Sequence, residues 1–233
     1  DWWPGDDGTD PIRETMLRLG GPVVEQLAGA FERLWGRHRS PLRRKAAGIP
    51  GSGMVRMVPQ DPRRHPSFRW ALYWRIGEAR RRIWITTPYF IPPLLLRLAL
   101  RAARRRGTEV RLLLPGSRHD HPAIRFAGRR YYGNLLRAGI RIWEYQPRFL
   151  HAKTAVFDGE WSLAGSPNLD RWSLFLNHEI AVEARDRALA GQLETQFRED
   201  LALSREITLP EWRRRPLTTR LLEHFFGVFD RAF

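Results

Sequence analysis

Residues 151–168 read HAKTAVFDGEWSLAGSPN, a stretch in which two apolar runs alternate with polar side chains. KTAVFD and WSLAGS are short and are separated by Gly159-Glu160, which predicts two strands joined by a tight turn. His151 and Lys153 stand at the start of the first strand, and the turn GSPN (165–168) follows the second. The residues that could act in binding or catalysis therefore lie at the strand ends and in the turn.

Lys153 is unusual because arginine supplies almost all of the positive charge. Of 40 basic residues only Lys45 and Lys153 are lysines. An ammonium is a compact charge on a slim stem, and it can meet a phosphate oxygen in a pocket too tight for a guanidinium. A lysine here favours phosphate chemistry, although the arginine bias of a GC-rich genome would also leave few lysines.

Strands and helices alternate around this stretch, which indicates an α/β fold. The predicted strands are 81–90, 109–115, 140–145 and 178–185, and the predicted helices are 94–107, 123–139 and 186–204. Strands separated by helices of this length indicate βαβ units and a largely parallel sheet.

The composition defines a globular chain with a strong positive charge. The 233 residues are 42% hydrophobic and carry a formal net charge of +15, which indicates nucleic acid or an anionic lipid surface as a partner, or else a solvated arginine-rich surface. The absence of cysteine excludes disulfides and thiolate metal sites.

The acidic start lacks a signal-peptide layout, and the best apolar stretch, 91–103, is too interrupted to span a bilayer. Membrane contact is therefore expected to be peripheral.

An internal repeat relates the two ends of the chain. Residues 14–31 and 179–197 share a glutamate that opens an alternating strand, a turn, and a helix carrying Gln-Leu followed four residues later by Phe. At that spacing the counterpart of His151 would precede the first residue. Amphipathic strand-helix pairs also resemble one another by chance. The domains expected are the tail of a first repeat (1–40), a linker (41–54), a complete second repeat (55–204) and a C-terminal segment (205–233).

Together these motifs resemble the phospholipase D superfamily, and the wider sequence is similar to bacterial cardiolipin synthases of that type. The likeness rests on His151-x-Lys153-x4-Asp158, the Gly165-Ser166-x-Asn168 turn, Asn177-x-Glu179, and the runs TTPYFIP (86–92), RLLLPGSRHDH (111–121), RRYYGNLLRAGIRIWEY (129–145) and RLGGPVVEQLAGAFERLW (18–35). It implies a phospholipase D-like layered α/β sandwich, here one complete repeat plus the tail of a preceding one. The family's first His-Lys-Asp motif is absent from this sequence, which leaves open whether the chain acts alone.

The resemblance also implies roles for the residues that contact phosphate. In this family two histidines, one per repeat, transfer a phosphodiester through a phosphohistidine without a metal or other cofactor. His151 is expected to act as general acid and base, and Lys153 to neutralise phosphoryl charge. Ser166 and Asn168 are expected to donate hydrogen bonds to the same oxygens.

Three acidic residues complete the expected site. Glu179 is expected to bond to His151 and fix its tautomer, and Glu14 to do so for the missing histidine. Asp158 belongs to the catalytic motif but is expected to hold the loop rather than touch substrate.

More ordinary interpretations stand beside these. A histidine at a strand start is often only a polar residue, and residues 165–168 would also suit a simple tight loop. His119, Asp120 and His121 suggest a metal site only weakly, because other ligands are lacking, and a loop beside the pocket is favoured. No metal is implied.

The C-terminal segment combines a basic triplet with apolar residues that fall mostly on one helical face. These are Leu217, Leu221, Leu222, Phe225, Phe226, Phe229 and Phe233. The layout is typical of an interfacial helix near anionic headgroups, and equally of a helix docked on the protein's own core or on the missing half.

Three functions remain open, of which one is preferred. It is phosphatidyl transfer between anionic phospholipids, most simply two phosphatidylglycerols giving cardiolipin and glycerol, at the inner membrane of a bacterium. The missing repeat or a second copy of the chain would complete the site, and an isolated half would expose an apolar seam. The alternatives are a dimeric phosphodiesterase or nuclease, with nucleic acid the less favoured partner, and a non-enzymatic module that binds anionic membranes or nucleic acid.

Overall fold

A mixed nine-stranded sheet forms the centre of this computed structural model, which describes residues 12–35, 54–61 and 65–228. The strands are β1 (Met54–Asp61), β2 (His65–Pro66), β3 (Arg82–Thr86), β4 (Glu109–Pro115), β5 (Arg141–Tyr145), β6 (Thr154–Phe157), β7 (Trp161–Gly165), β8 (Glu179–Arg185) and β9 (Ser204–Ile207). The helices are α1 (Pro22–Trp35), α2 (Ser67–Glu78), α3 (Leu94–Arg105), α4 (Pro122–Arg129), α5 (Tyr132–Arg137), α6 (Arg187–Ala202), α7 (Leu209–Arg214) and α8 (Leu217–Val228), and a π-helical turn spans Trp172–Leu176.

The direction of the strands differs from the prediction. The order across the sheet is β2-β1-β8-β7-β6-β3-β4-β5-β9. Only β3, β4 and β5 run parallel to one another, and the other neighbouring pairs are antiparallel. The expectation of a largely parallel sheet was wrong, because the chain passes from β5 to β8 through loops and a hairpin, and α6 then leads to β9, which is antiparallel to β5.

Helices cover both faces of the sheet, as a layered α/β fold requires. Ile83 and Ile85 of β3 lie in the core beneath the helices of one face, α2 to α5. Trp84, which points to the other side, packs beneath α6, where Phe197 stacks on it with ring centroids 5.1 Å apart. The alternation along one short strand therefore supplies both apolar layers.

Several elements depart from the sequence prediction. The expected helix over 123–139 is two helices, α4 and α5, and the expected strand at Glu14 is only an extended segment with an isolated bridge between Arg13 and Leu150. The region 54–78, for which no elements were predicted, contributes β1, β2 and α2. The predicted linker, 41–54, lies outside the described residues except for Met54, which begins β1.

The C-terminal segment forms two helices and docks on the sheet domain. Phe226 stacks on Phe126 of α4, and Glu223 is buried between Arg129 and Arg215. The opposite face of α8 leaves a stripe of apolar side chains exposed, and we call it the α8 stripe: Leu217, Leu221, Phe225 and Val228. Phe229 and Phe233 lie outside the described residues. Within the described ranges, the helices are too short or too polar to cross a bilayer.

Candidate active site

The predicted site residues other than Asp158 gather at one edge of the sheet. Thr154, the first residue of β6, pairs with Thr86 at the carboxyl end of β3 and with Ala164 near the end of β7. The turn after β7 approaches β8 so closely that a side chain at Gly165 would meet the carbonyl oxygen of Ile180 at 2.3 Å. Glycine is required there because only its backbone fits. His151, Lys153, Ser166 and Glu179 are all brought to this edge.

The N-terminal segment holds His151 in place from the side. The amides of His151 and Ala152 both donate to the carbonyl of Arg13, at 2.8 and 3.1 Å. The guanidinium of Arg13 in turn makes two 2.8 Å bonds to the carboxylate of Asp200 on α6. This double anchor places Glu14 beside the imidazole, with Oε2 2.5 Å from Nδ1 of His151.

The Glu14 contact assigns the tautomer of His151. Burial alone raises the pKa of Glu14, but the hydrogen bonds from His151 and from the Thr15 amide, with the charge of Lys153, outweigh it and hold the pKa below its usual value. An ionised carboxylate only accepts hydrogen bonds, so Nδ1 must carry the proton. The lone pair of neutral His151 is then on Nε2.

Lys153 lies against that lone pair. Its Nζ is 3.0 Å from Nε2 of His151 and donates to the His151 carbonyl at 2.7 Å. Burial lowers the pKa of Lys153 to about 8, and the nearby carboxylates, with Glu14 and Glu179 foremost, offset only part of that effect. The ammonium is thus poorly solvated, a state in which an anionic ligand would stabilise its charge.

Glu179 makes contacts other than those predicted. Its carboxylate accepts hydrogen bonds from the hydroxyls of Ser166 and Ser173, the latter at 3.0 Å, and the Ile180 amide donates to Ser166 Oγ at 3.0 Å. The predicted contact of Glu179 with His151 is not the one observed, since Glu14 occupies Nδ1. Glu14, expected to orient the missing histidine, lies beside His151 instead.

Asn168, the last residue of the turn, lies at the same edge. Its Oδ1 is buried and has no hydrogen-bond partner among the described residues. A buried amide oxygen without a partner is costly, so this side chain is a candidate for contact with a ligand or water.

Asp158 lies at the far end of β6, away from this cluster. It takes a left-handed backbone conformation, with φ of 56°, at the β6–β7 turn. Its carboxylate accepts the amides of Arg80, Arg81 and Arg82 at 2.8 to 2.9 Å and so joins the turn to the start of β3. Strand β6 separates Asp158 from His151, and these contacts fit the expected loop-holding role; a part for Asp158 in catalysis stays a prediction.

Aromatic and acidic side chains lie beside His151. Asp120 contacts the hydroxyl of Tyr89 and lies 3.0 Å from Nδ1 of His119, a histidine buried between the rings of Tyr89 and Phe149. Phe149 also packs against His151, with ring centroids 5.7 Å apart. Residues 119–121 thus belong to a loop beside the His151 site, the interpretation that the sequence favoured. Within the described ranges there is no group of three or more His, Cys, Asp or Glu side chains arranged to hold a metal ion.

Comparison with known proteins decides the family. A family model described as "Cardiolipin synthase, PLD-like domain" matches residues 72–201. The chain belongs to this family. Cardiolipin synthase A of Pseudomonas putida (strain W619) is 37% identical over 208 residues, which cover 88% of this chain and 43% of that protein. A probable cardiolipin synthase YwiE of Bacillus subtilis (strain 168) is 32% identical over 94% of this chain and 45% of its own length. The chain thus spans less than half the length of these curated relatives.

Solved structures show the same fold. Phosphatidylserine synthase of Haemophilus influenzae Rd KW20 superposes with a TM-score of 0.63 and 14% identity, over 90% of this chain and 52% of that one. Nuc of Salmonella typhimurium, a phospholipase D family member, superposes with a TM-score of 0.58 and 21% identity, over 67% of this chain and 99% of Nuc. The PLD-like α/β fold of the chain is therefore confirmed.

One residue of this PLD-like site was missed by the sequence analysis. Asp170 is buried beside Glu179, accepts the Ser173 amide at 2.7 Å, and has its pKa raised to about 6 by burial and by the charge of Glu179. Its position two residues after Asn168 was the available signal. A lone aspartate in a turn is usually a capping residue, and only burial marks this one as unusual.

Proposed function

We propose that this chain carries the second half of the active site of a phosphatidyl-transferring enzyme that joins two phosphatidylglycerols into cardiolipin and glycerol. The observation that carries the proposal is the His151 arrangement, with Glu14 on Nδ1 and Lys153 on Nε2. It occurs in a chain that is 37% identical to a cardiolipin synthase A. No residue of this arrangement requires a metal or another cofactor.

The first step would form a phosphohistidine on the histidine of the other half. A ring nitrogen of that histidine attacks phosphorus, a P–N bond forms, and the P–O bond to the headgroup glycerol breaks. His151, protonated on Nε2, gives that proton to the departing glycerol oxygen. Glu14 supports the imidazolium through Nδ1–H, which it contacts at 2.5 Å.

The second step would reverse the proton movement. A primary hydroxyl of a second phosphatidylglycerol gives its proton to the now neutral Nε2 of His151 and attacks phosphorus, and the P–N bond breaks. Lys153, which lies on Nε2 in the resting site, would already have turned to the phosphoryl oxygens when Nε2 becomes protonated, and there it would neutralise their charge. Ser166 would turn its hydroxyl from Glu179 to the same oxygens, and Asn168 would donate to them through Nδ2.

The N-terminal helix supports the view that half of the site comes from elsewhere. Phe31 of α1 and Phe197 of α6 occupy equivalent positions in the proposed repeats. Phe197 is buried at 4% exposure beneath the sheet, whereas Phe31 is 60% exposed. A first-repeat sheet packed on α1, from a longer chain or a second copy, would bury Phe31 in the same way.

Lipid as substrate is supported by the surface and the charge. The α8 stripe is exposed next to a basic stretch that includes Arg213 and Arg214. An apolar stripe with arginines beside it suits a peripheral helix on an anionic bilayer, here the cytoplasmic face of a bacterial inner membrane. The net charge of +15 favours the same surface.

Lipid mass spectrometry of phosphatidylglycerol vesicles tests the proposal. The chain is supplied with a first repeat, either as an upstream extension or as the separately expressed first half of the Pseudomonas putida cardiolipin synthase A. We expect cardiolipin and glycerol, lost with His151→Ala and retained with the exposed control His178→Ala. Equal activity of both variants would remove His151 from the mechanism. If lipid is left intact and a model phosphodiester or DNA is cleaved in a His151-dependent way, the nuclease alternative replaces this one.

A further inference from the structure

A second basic site lies between the sheet domain and the C-terminal helices. It is a cavity of about 340 Å³ enclosed by α4, β9, α7 and the start of α8. Its volume lies at the lower end of the range for small-ligand pockets, roughly 300–1,000 Å³. Four guanidinium groups converge on it from α4, β9 and the loop after α7: Arg125, Arg129, Arg205 and Arg215.

Buried carboxylates compensate only part of this charge. Glu144 lies 3.3 Å from Arg125 and 3.9 Å from Arg205, and it also contacts Arg129. Glu223 accepts bonds from Arg129 at 3.1 Å and from Arg215 at 2.8 Å. Both carboxylates are shared between arginines, so two of the four positive charges have no buried counterpart.

The remaining acid at the cavity is exposed and compensates only one further charge. Glu211 lines the wall, its carboxylate caps α7 through the hydroxyl and amide of Thr208, at 2.7 and 3.2 Å, and its negative charge also acts on Arg205. In addition, Nε of Arg125 is buried without a hydrogen-bond partner among the described residues. Excess guanidinium charge in a partly enclosed space is costly unless an anion meets it.

We propose that this cavity binds the phosphate group of an anionic ligand. Guanidinium groups bind phosphate through paired N–H donors, and Arg125 and Arg205 have donors left over after their contacts with Glu144. The cavity is separate from the transfer site, since none of His151, Lys153, Ser166 and Asn168 lines it. The inference therefore does not depend on the proposed transfer reaction.

The same chemistry is found in free phosphate and in the headgroup of an anionic phospholipid. The cavity wall includes Pro216 and Thr219, at the base of the helix that exposes the α8 stripe. A lipid headgroup would enter from that side, with its acyl chains beside the stripe. Binding experiments with inorganic phosphate and with lipid vesicles distinguish the free ion from the headgroup.

Binding is measured in the Lys153→Ala background, which removes the main anion contact of the transfer site. Isothermal titration calorimetry with inorganic phosphate tests the free ion, and co-sedimentation with phosphatidylglycerol against phosphatidylcholine vesicles tests the lipid. Thr219→Glu places a carboxylate at the cavity wall, and Thr218→Glu makes the same charge change at the exposed neighbouring position. Arg205→Gln removes the most exposed of the four arginines, with Arg187→Gln as its control.

We expect Arg205→Gln to weaken binding by about tenfold, the size expected for losing one charge-assisted hydrogen bond, Thr219→Glu to weaken it at least as much through charge repulsion, and the two controls to leave it unchanged. Loss of phosphate binding in calorimetry identifies the free ion, and loss confined to phosphatidylglycerol vesicles identifies the headgroup; either supports the site. If neither probe binds, or if cavity and control variants weaken binding equally, the site is refuted and the arginines serve only to dock α8.

Discussion

The two ends of strand β6 carry parts of one sequence motif and use them differently. At the start of the strand, His151 and Lys153 face each other at 3.0 Å, and the lysine is buried enough to lower its pKa to about 8. At the other end, Asp158 has its hydrogen-bonding capacity filled by three backbone amides. The side chains at the first end can still bind a ligand, whereas the carboxylate at the other end is occupied by hydrogen bonds that hold the turn. Spacing along a motif therefore does not show which of its members do chemistry.

The largest effect should come from Lys153. We expect Lys153→Ala to lower phosphatidyl transfer in the completed enzyme about 10³-fold, because the phosphoryl charge loses its fixed cation. Lys153→Arg should restore little, since a planar fork does not fit where Nζ lies within 3.0 Å of two atoms of His151. Initial rates on phosphatidylglycerol vesicles measure both, and near-normal activity of the arginine variant would show that charge alone matters.

A smaller loss should follow the change of Glu14. Glu14→Gln removes the carboxylate that fixes Nδ1–H, and we expect about a 10²-fold slower transfer. In the proton NMR spectrum the Nδ1–H resonance of His151 should be lost in Glu14→Gln and kept in Glu179→Gln. The opposite result would restore the original pairing of Glu179 with His151.

At the other end of β6 the effect should be on stability. Asp158→Ala leaves three amides without their acceptor and an alanine at positive φ, and we expect a loss of about 1–2 kcal/mol in the free energy of unfolding. Asp158→Asn should lose less, because asparagine tolerates the left-handed conformation. Urea unfolding measures both. A lower transfer rate in fully folded Asp158→Ala protein would show that Asp158 takes part in catalysis.

The smallest expected effects are on the pH dependence of stability, which differs between the two ends of β6. The pKa of Asp158 is lowered from its ordinary value of 3.8, so its contribution to stability is present above that pH and is lost as the pH falls through the lower folded value. The pKa of Lys153 is lowered from 10.5 to about 8, so between these values the unfolded chain binds more protons and stability rises with pH. Asp158→Asn and Lys153→Met should each abolish only their own trend in pH-dependent unfolding.

Local patterns were enough to predict much of the fold. Strands β3 to β8 and helices α1, α3 and α6 follow from short apolar runs and from turn residues such as Gly159. Helix α2 was missed because it exposes Trp70 and Trp74, so that its apolar residues do not fall on one face. Strand β9 has four residues and directly follows α6, too short to give a period of its own.

Contacts between distant segments could not be predicted in the same way. His151, Lys153 and Ser166 were found because they share one hairpin, whereas the partner of His151 lies 137 positions away in Glu14. The direction of β6 beside β3 also depends on the path of the loop between β5 and β6, which carries no periodicity. Charge balance in the arginine cavity likewise involves α4, β5, β9 and α8, and no single stretch of sequence displays it.

The contact of residues 13 and 14 with the histidine strand has a consequence for synthesis on the ribosome. Arg13 and Glu14 leave the ribosome 137 to 187 residues before the backbone at His151 and the carboxylate of Asp200 that hold them. Until then the segment lacks these bonds, while the strands between can already begin to pair. Glu14 would therefore be held beside His151 only after Asp200 has been made.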